Sequence, residues 1–396
     1  MATTLMPERG LRVGTGLLGI LLIAVNLRVG FVTVGPLLEG ISDELGLSAG
    51  QAGLLAGLPL LAFALLSPIA PVLARVAGLD RASWLSVLLL AVGIVLRSVE
   101  LPGMIWAGTI LLGAGIAFLN VLVPSIVKRQ FPGRVGQVTG FYTSAQGAVA
   151  ALGAAIVVPV AQATPSGWRL ALGMWVGLAL LALAVLGPWL LRSEPKAAVS
   201  DSAAPALRSP WTSLLGWQVT LFMGFQSITY YVIIAWLPTI ERSHGVSEAD
   251  AGFHMALFFL VGVCASLGTG AAMSRLADQR AVGLAASLLA LASYLGLMLA
   301  PGLMLLWVIT AAIACGALIV VALSLFSLRT TNHAQAAGLS GMAQSVGYAI
   351  AGAGPLAFGL LYEATGAFEL PLLLTACCMA VLCVLAVLVG RPRTIG

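Results

Sequence analysis

Charge is what this sequence has least of. Aspartate, glutamate, lysine and arginine make up 8% of its 396 residues and 60% are hydrophobic, whereas about a quarter of an ordinary soluble domain is charged. A chain so poor in charge has no water-facing surface to offer, which excludes a soluble globular protein and makes this an integral membrane protein. The five cysteines, Cys264, Cys315, Cys377, Cys378 and Cys383, all fall in apolar stretches. None has metal-ligand company, so they read as small packing residues, with neither a disulfide nor a metal site expected. Nucleotide-binding loops, zinc-ligand spacings and carboxylate pairs inside apolar segments are missing as well. No cofactor is called for, and enzyme chemistry built on those features is excluded.

What is present is a series of long apolar runs. A transmembrane helix needs about 20 apolar residues, and twelve such segments fit, at about 12–38, 50–74, 82–98, 103–127, 137–162, 168–191, 215–239, 251–274, 281–299, 303–328, 336–362 and 368–390. The expected fold class is therefore an all-α membrane protein of twelve spans. Arg9 and Arg12 precede a first run too long for a cleaved signal, and no small-residue cleavage site follows it, so it is read as a retained helix.

Lysine and arginine sort to one side of these spans. With the N-terminus inside, fifteen of the nineteen basic residues fall on the cytoplasmic side, Arg97, Arg169 and Arg242 fall outside, and Arg28 alone lies within the membrane. The carboxylates sort the other way, with Glu39, Asp43, Glu44, Glu100, Glu241, Glu248, Asp250, Glu363 and Glu369 outside and none deep in a helix. By the positive-inside rule both termini are cytoplasmic, in the plasma membrane of a bacterium. The net charge of +5 reflects this bias and does not imply nucleic-acid binding.

The sequence repeats with a period near 200. Pro36-Leu37-Leu38-Glu39 answers to Pro238-Thr239-Ile240-Glu241, and Gly46-Leu47-Ser48 to Gly245-Val246-Ser247. Arg75 with Arg81 recurs as Arg275 with Arg280, Trp106 as Trp307, and Gly140 to Gln146 as Gly338 to Gln344. Five matches in one order imply two six-helix bundles of like topology, at 1–191 and 215–396, joined by an Ala/Ser/Pro-rich cytoplasmic linker over 192–214.

Twelve helices, the central linker and the basic loops Arg75, Gly78, Asp80, Arg81 and Arg275, Asp278, Arg280 resemble the major facilitator superfamily, although its usual loop signature is degraded here. More narrowly, Asn26-Leu27-Arg28 followed by Val34-Gly35-Pro36-Leu37-Leu38, the stretch Gln226 to Pro238, and Thr365, Gly366 and Pro371 resemble the cyanate permease and nitroimidazole transporter family. The resemblance spans the whole chain and implies a secondary transporter with a small-molecule substrate, working by alternating access.

Arg28 is the first candidate site residue, because a charge at mid-span costs about 2.5–3.5 kcal/mol on insertion scales and must face protein or water. The repeat offset pairs it with Tyr230, and Gln226 lies one helical turn before Tyr230 on the same face, with Tyr231 about 100° away. Arg28, Gln226 and Tyr230 would then confront each other across a midplane cavity and offer an anion a forked cation with neutral donors. Asn120, Gln146, Tyr142, Gln344 and Tyr348 join the candidate set. For each a purely structural role, as interhelical hydrogen-bonding residue or gate, stays open. Asn26 points elsewhere and is read as packing.

His254 is the one histidine inside a span and the candidate for a co-transported proton, with a solvated helix end as its other reading. Gly338-Leu339-Ser340-Gly341 matches an intramembrane serine protease pattern, but it lies within a repeat unit and at the opposite face from His254, so proteolysis is set aside. The expected function is transport of a small anionic or polar organic solute, cyanate-like, nitroaromatic or carboxylate-like, by a monomer. An exporter of neutral or cationic drugs is the alternative, and a non-transporting receptor the remote one.

Overall fold

The computed structural model describes residues 6–47, 49–190 and 208–395. The expected linker lies outside the described residues up to position 207. Twelve candidate spans are found among the described residues, and fourteen of the fifteen α-helices there build them, with α2 lying between the first two spans.

In chain order these are α1 (Met6–Val32), α2 (Leu38–Leu45), α3 (Ala49–Leu66), α4 (Ala70–Ala77), α5 (Leu79–Arg97), α6 (Met104–Gln130), α7 (Val135–Ala163), α8 (Gly167–Gly173) and α9 (Val176–Leu190). There follow α10 (Leu214–Ser243), α11 (Glu248–Met273), α12 (Arg280–Leu299), α13 (Met304–Leu328), α14 (His333–Thr365) and α15 (Glu369–Gly390). Helices are the outcome because a backbone in lipid must bond to itself.

Side chains set several boundaries. Ser213, Ser247 and Asn332 cap α10, α11 and α14 by accepting from the amides of Gly216, Asp250 and Gln335, which satisfies donors that no helix turn can reach. Proline breaks others. The second span is α3 and α4 around a 3-10 turn at Ser67–Ile69, with Pro68 and Pro71 at its joints. Helix α1 ends at Val32, where Pro36 lacks the amide that would continue it, and a 3-10 turn at Gly35–Leu37 leads into α2.

By internal contacts the chain divides into Met1–Pro132 with Val149–Leu207, and Gly133–Ala148 with Arg208–Gly396. In the first unit α6 packs on α1, α3 and α5, and α9 packs on α1 and α5. In the second unit α13 packs on α10, α11 and α12, and α15 on α10 and α12. The same neighbour scheme thus occurs in each.

The α5–α6 packing depends on missing side chains. A Cβ on Gly115 would stand 2.7 Å from the Ser86 carbonyl oxygen and 2.8 Å from the Leu90 amide, both rigid helix backbone. Gly115→Ala must push the two helices apart, and a loss of about 1–3 kcal/mol is expected, as for other overpacked cores. Thermal unfolding in detergent measures it, and a Gly115→Ala protein as stable as the parent would contradict the close approach.

At the end of the first unit where α2 and α8 meet, Val34, Leu37, Ile41, Leu55, Ile105 and Trp168 form a buried apolar cluster. Glu44 of α2 fastens its rim. Its Oε2 accepts from Trp168 Nε1 at 2.7 Å, and Oε1 is paired with Arg169. The hydrogen bond from Arg169 foremost, against a smaller opposing effect of burial and with help from Trp168, holds the Glu44 carboxyl below the ordinary value of 4.5. A carboxyl held low in the folded state stabilises it above its ordinary pKa and loses that contribution as pH falls through the lowered value. Stability is therefore expected to decline on acidification below about pH 4.5, and Glu44→Gln is expected to flatten that limb in a thermal melt series. An unchanged acid limb in Glu44→Gln would contradict it.

Candidate functional site

Arg28 lies in the last two turns of α1 and is half-buried. The helix around it is tied down by its own polar residues. Asn26 is buried and donates through Nδ2 to the Leu22 carbonyl at 2.8 Å and to the Leu178 carbonyl of α9 at 3.2 Å, in keeping with a packing role. Thr33 Oγ1 donates back to the Val29 carbonyl at 2.8 Å.

A second arginine closes the end of α1. Arg97 of α5, expected at the outer end of its span, is 1% exposed, so it is buried in the protein, which its position in the sequence did not indicate. Its guanidinium folds back into the first unit and donates to the Gly30 carbonyl at 2.6 Å and to the Leu172 carbonyl at 3.4 Å. Both carbonyls belong to last turns, of α1 and α8, where the helix leaves acceptors unfilled.

In the second unit Tyr230 is half-buried on α10, packed edge-on to Tyr231 at 5.4 Å between ring centroids and against Phe258 of α11 at 6.3 Å. Tyr294 of α12 is fully buried and donates its hydroxyl to the Thr229 carbonyl at 2.9 Å. Each unit therefore fixes the backbone beside its candidate residue, Arg28 or Tyr230, with a donor from the helix after the loop. Gln226 is 2% exposed, and its amide donates to Ser227 Oγ at 2.7 Å and reaches Met223 Sδ at 3.3 Å. Gln344 is buried and donates to Ser340 Oγ at 2.9 Å. Tyr142 is buried and hydrogen-bonded to Thr139, within electrostatic reach of Tyr348. Gln146 is buried as well, and Asn120 half-buried on α6.

The loop motifs are structural ion-pair sites. Asp80 is buried and paired with Arg129 at the end of α6, and Arg81 Nε donates to the Leu190 carbonyl at 3.4 Å. At the corresponding place in the second unit the partner of the arginine is neutral. Arg329, just beyond α13 and 2% exposed, donates to Gln279, to the Val389 carbonyl at 2.7 Å and to the Gly390 carbonyl at 3.0 Å. Burial pulls its guanidinium down to about 10. Asp278 pairs instead with Arg280 at 2.6 Å, whose hydrogen bonds hold the carboxyl below its ordinary value. Arg75 and Arg275 are exposed.

The sequence places no carboxylate deep in a helix, but the structure buries one at a helix end. Glu241, in the last turn of α10, has a side chain with no exposed surface, and its Oε1 lies 2.7 Å from Nδ1 of His254. Position alone had assigned Glu241 to the outer surface, and the signal that would have found it is His254, thirteen residues on and one helix across.

Arg28 thus lies on α1 and Gln226, Tyr230 and Tyr231 on α10, the helix that answers it in the repeat, within a fold that solved structures share. A major facilitator superfamily transporter, FucP, in the outward conformation superposes with a TM-score of 0.75 over 96% of this chain and 99% of that one at 15% identity. The family model described as Major Facilitator Superfamily matches residues 20–352 and 219–395. The 2-nitroimidazole transporter of Escherichia coli (strain K12) is 41% identical over 95% of both chains. The cyanate transport protein CynX of the same organism is 28% identical over 92% of this chain and 94% of its own. This chain belongs to the major facilitator superfamily, with the nitroimidazole and cyanate transporters among its relatives.

Proposed function

We propose that this protein moves a small anionic or strongly polar organic solute across the bacterial plasma membrane by alternating access, with Arg28 as the residue that takes the anionic or nitro end. The observation that supports this reading is the half-buried Arg28 within the first candidate span, next to the helix end that Arg97 pins. The named relatives supply a chemical pattern. Cyanate is a small anion, and 2-nitroimidazole is a flat ring whose nitro group presents two oxygens in one plane. A guanidinium recognises such oxygens with parallel N–H donors. Gln226, Tyr230, Tyr231, Asn120, Gln146, Tyr142, Gln344 and Tyr348 are proposed as neutral residues of the same binding function.

The basic residues support cytoplasmic termini, with 1–191 and 215–396 as the two transport halves and a monomer as the working unit. An inside-negative potential opposes entry of a bare anion by about 2.3 kcal/mol per 100 mV, so uptake calls for a compensating cation, for which a proton is the proposed candidate.

The test is a thermal-stabilisation screen of the purified protein against cyanate, bicarbonate, 2-nitroimidazole, 4-hydroxybenzoate and matched organic cations at two pH values. Stabilisation by a member of the anion or nitroaromatic group is expected. Stabilisation by cations alone would reverse the proposal in favour of drug export.

A further inference from the structure

Glu241 of α10 and His254 of α11 form a carboxyl–imidazole contact between two spans, with the carboxyl fully buried. The carboxyl is fully enclosed, and only half of it is used. Oε1 meets His254 Nδ1 at 2.7 Å, while Oε2 is buried with no hydrogen-bond partner. A buried carboxylate oxygen without a donor is costly, and a structural ion pair has no need of one. It is where a proton can sit. We infer that Glu241 and His254 are the proton-binding site of the transport cycle, with Oε2 as the atom that takes the proton, an inference that rests on the proposed solute transport.

The surroundings isolate the pair. Arg242 on α10 and His244 just beyond it are exposed, and His244 Nδ1 contacts the Ile240 carbonyl at 2.9 Å. On α11, Asp250 is exposed and accepts from Ser247 at 2.7 Å. From α14 come Tyr362, stacked on Phe368 at 4.3 Å, and the exposed Glu363; α15 brings the exposed Glu369. Cys315 is the titratable residue of α13, and it lies in mid-helix. His254 is the ionisable group in contact with Glu241.

Access and linkage are both present. The His254 side chain keeps 13% of its surface exposed while that of Glu241 keeps none, so the imidazole is the route by which a proton enters. One turn along α11 from His254 is Phe258, whose ring packs on Tyr230, and Tyr230 shares α10 with Glu241. A change in the pair's protonation is thereby transmitted along two packed helices to a candidate solute residue. A proton carried on Oε2 together with a monovalent anion makes the moving complex neutral and removes the opposition of the membrane potential.

The test uses the full-length protein in liposomes. Without any solute, infrared difference spectra across a pH titration are expected to show the carbonyl band of a buried carboxylic acid, absent in Glu241→Gln. With radiolabelled 4-hydroxybenzoate, the parent is expected to accumulate solute down an imposed proton gradient, up to about tenfold per pH unit for one proton. Glu241→Gln is expected to lose that accumulation while equal-pH exchange, which needs no net proton movement, continues. An unaltered band in Glu241→Gln, or gradient-driven accumulation equal to the parent's, would overturn the inference. If the parent neither exchanges nor accumulates the probe, it is the solute reading that fails for this class, and the infrared band still decides the proton site. Should Glu241→Gln not fold, His254→Gln decides: the pH at which the band appears is expected to move, and an unmoved band overturns the assignment.

Discussion

Arg28→Ala protein, folded and purified, is expected to lose binding of the anion or nitroaromatic that stabilises the parent. Truncating one member of a buried, hydrogen-bonded charge contact costs about 2–5 kcal/mol, which is roughly a 30-fold to several-thousand-fold rise in Kd. Arg28→Lys separates the two things arginine supplies. It keeps the positive charge but replaces the planar fork with a strongly hydrated point charge, so a loss of about tenfold is expected where two oxygens are held in parallel. The order parent, Lys, Ala in affinity, with melting temperatures of the unliganded proteins close together, is the signature of direct contact. Unaltered transport by folded Arg28→Ala protein would sink the assignment.

Some of this was written plainly in the sequence, and the reasons are physical. Twelve spans are legible because hydrocarbon demands about 20 apolar residues per crossing. The repeat is legible because prolines such as Pro36 and Pro238 recur at the same point in the sequence of each half. The loop acid Asp80 was flagged, but its partner was not, since Arg129 lies 49 residues away and only folding brings the two together.

Residues near span ends were read least well. Arg97 and Glu241 both sit in the last turn of a helix, and there a side chain can reach outward or fold back with no change in sequence pattern. Which of the two occurs depends on what another helix offers. For Arg97 the offer is two unfilled carbonyls, and for Glu241 it is His254. Gln226 is the converse case. It was picked for facing the same side as Tyr230, and the structure shows its amide already engaged by Ser227 and Met223, a contact that periodicity cannot foresee.

Arg97→Leu is expected to destabilise the protein by about 2–4 kcal/mol and to weaken solute binding without touching solute. The energy follows from two charge-assisted hydrogen bonds at about 1.5–3 kcal/mol each, offset in part because the guanidinium is buried with its Nε unpartnered, a cost that leucine removes. The carbonyls left behind have no ready replacement. The helix stops two residues after Gly30, where the Val34 amide turns to the Phe31 carbonyl at 3.5 Å instead, so the Gly30 carbonyl depends on Arg97 for its donor. Freed from that brace, the last turn of α1 should fray, and Arg28 lies two residues before Gly30 in the same turn. Arg97→Lys reaches one carbonyl at a time and is expected to fall between leucine and the parent. Thermal unfolding with and without the stabilising solute separates the two effects: the unliganded melting temperature reports the lost bonds, and the ligand-induced shift reports the placement of Arg28. A lowered melting temperature with a full ligand shift would leave Arg97 a purely structural residue, whereas a reduced shift in both variants, in the order leucine below lysine, would show that the end of α1 is held in place for the sake of its arginine.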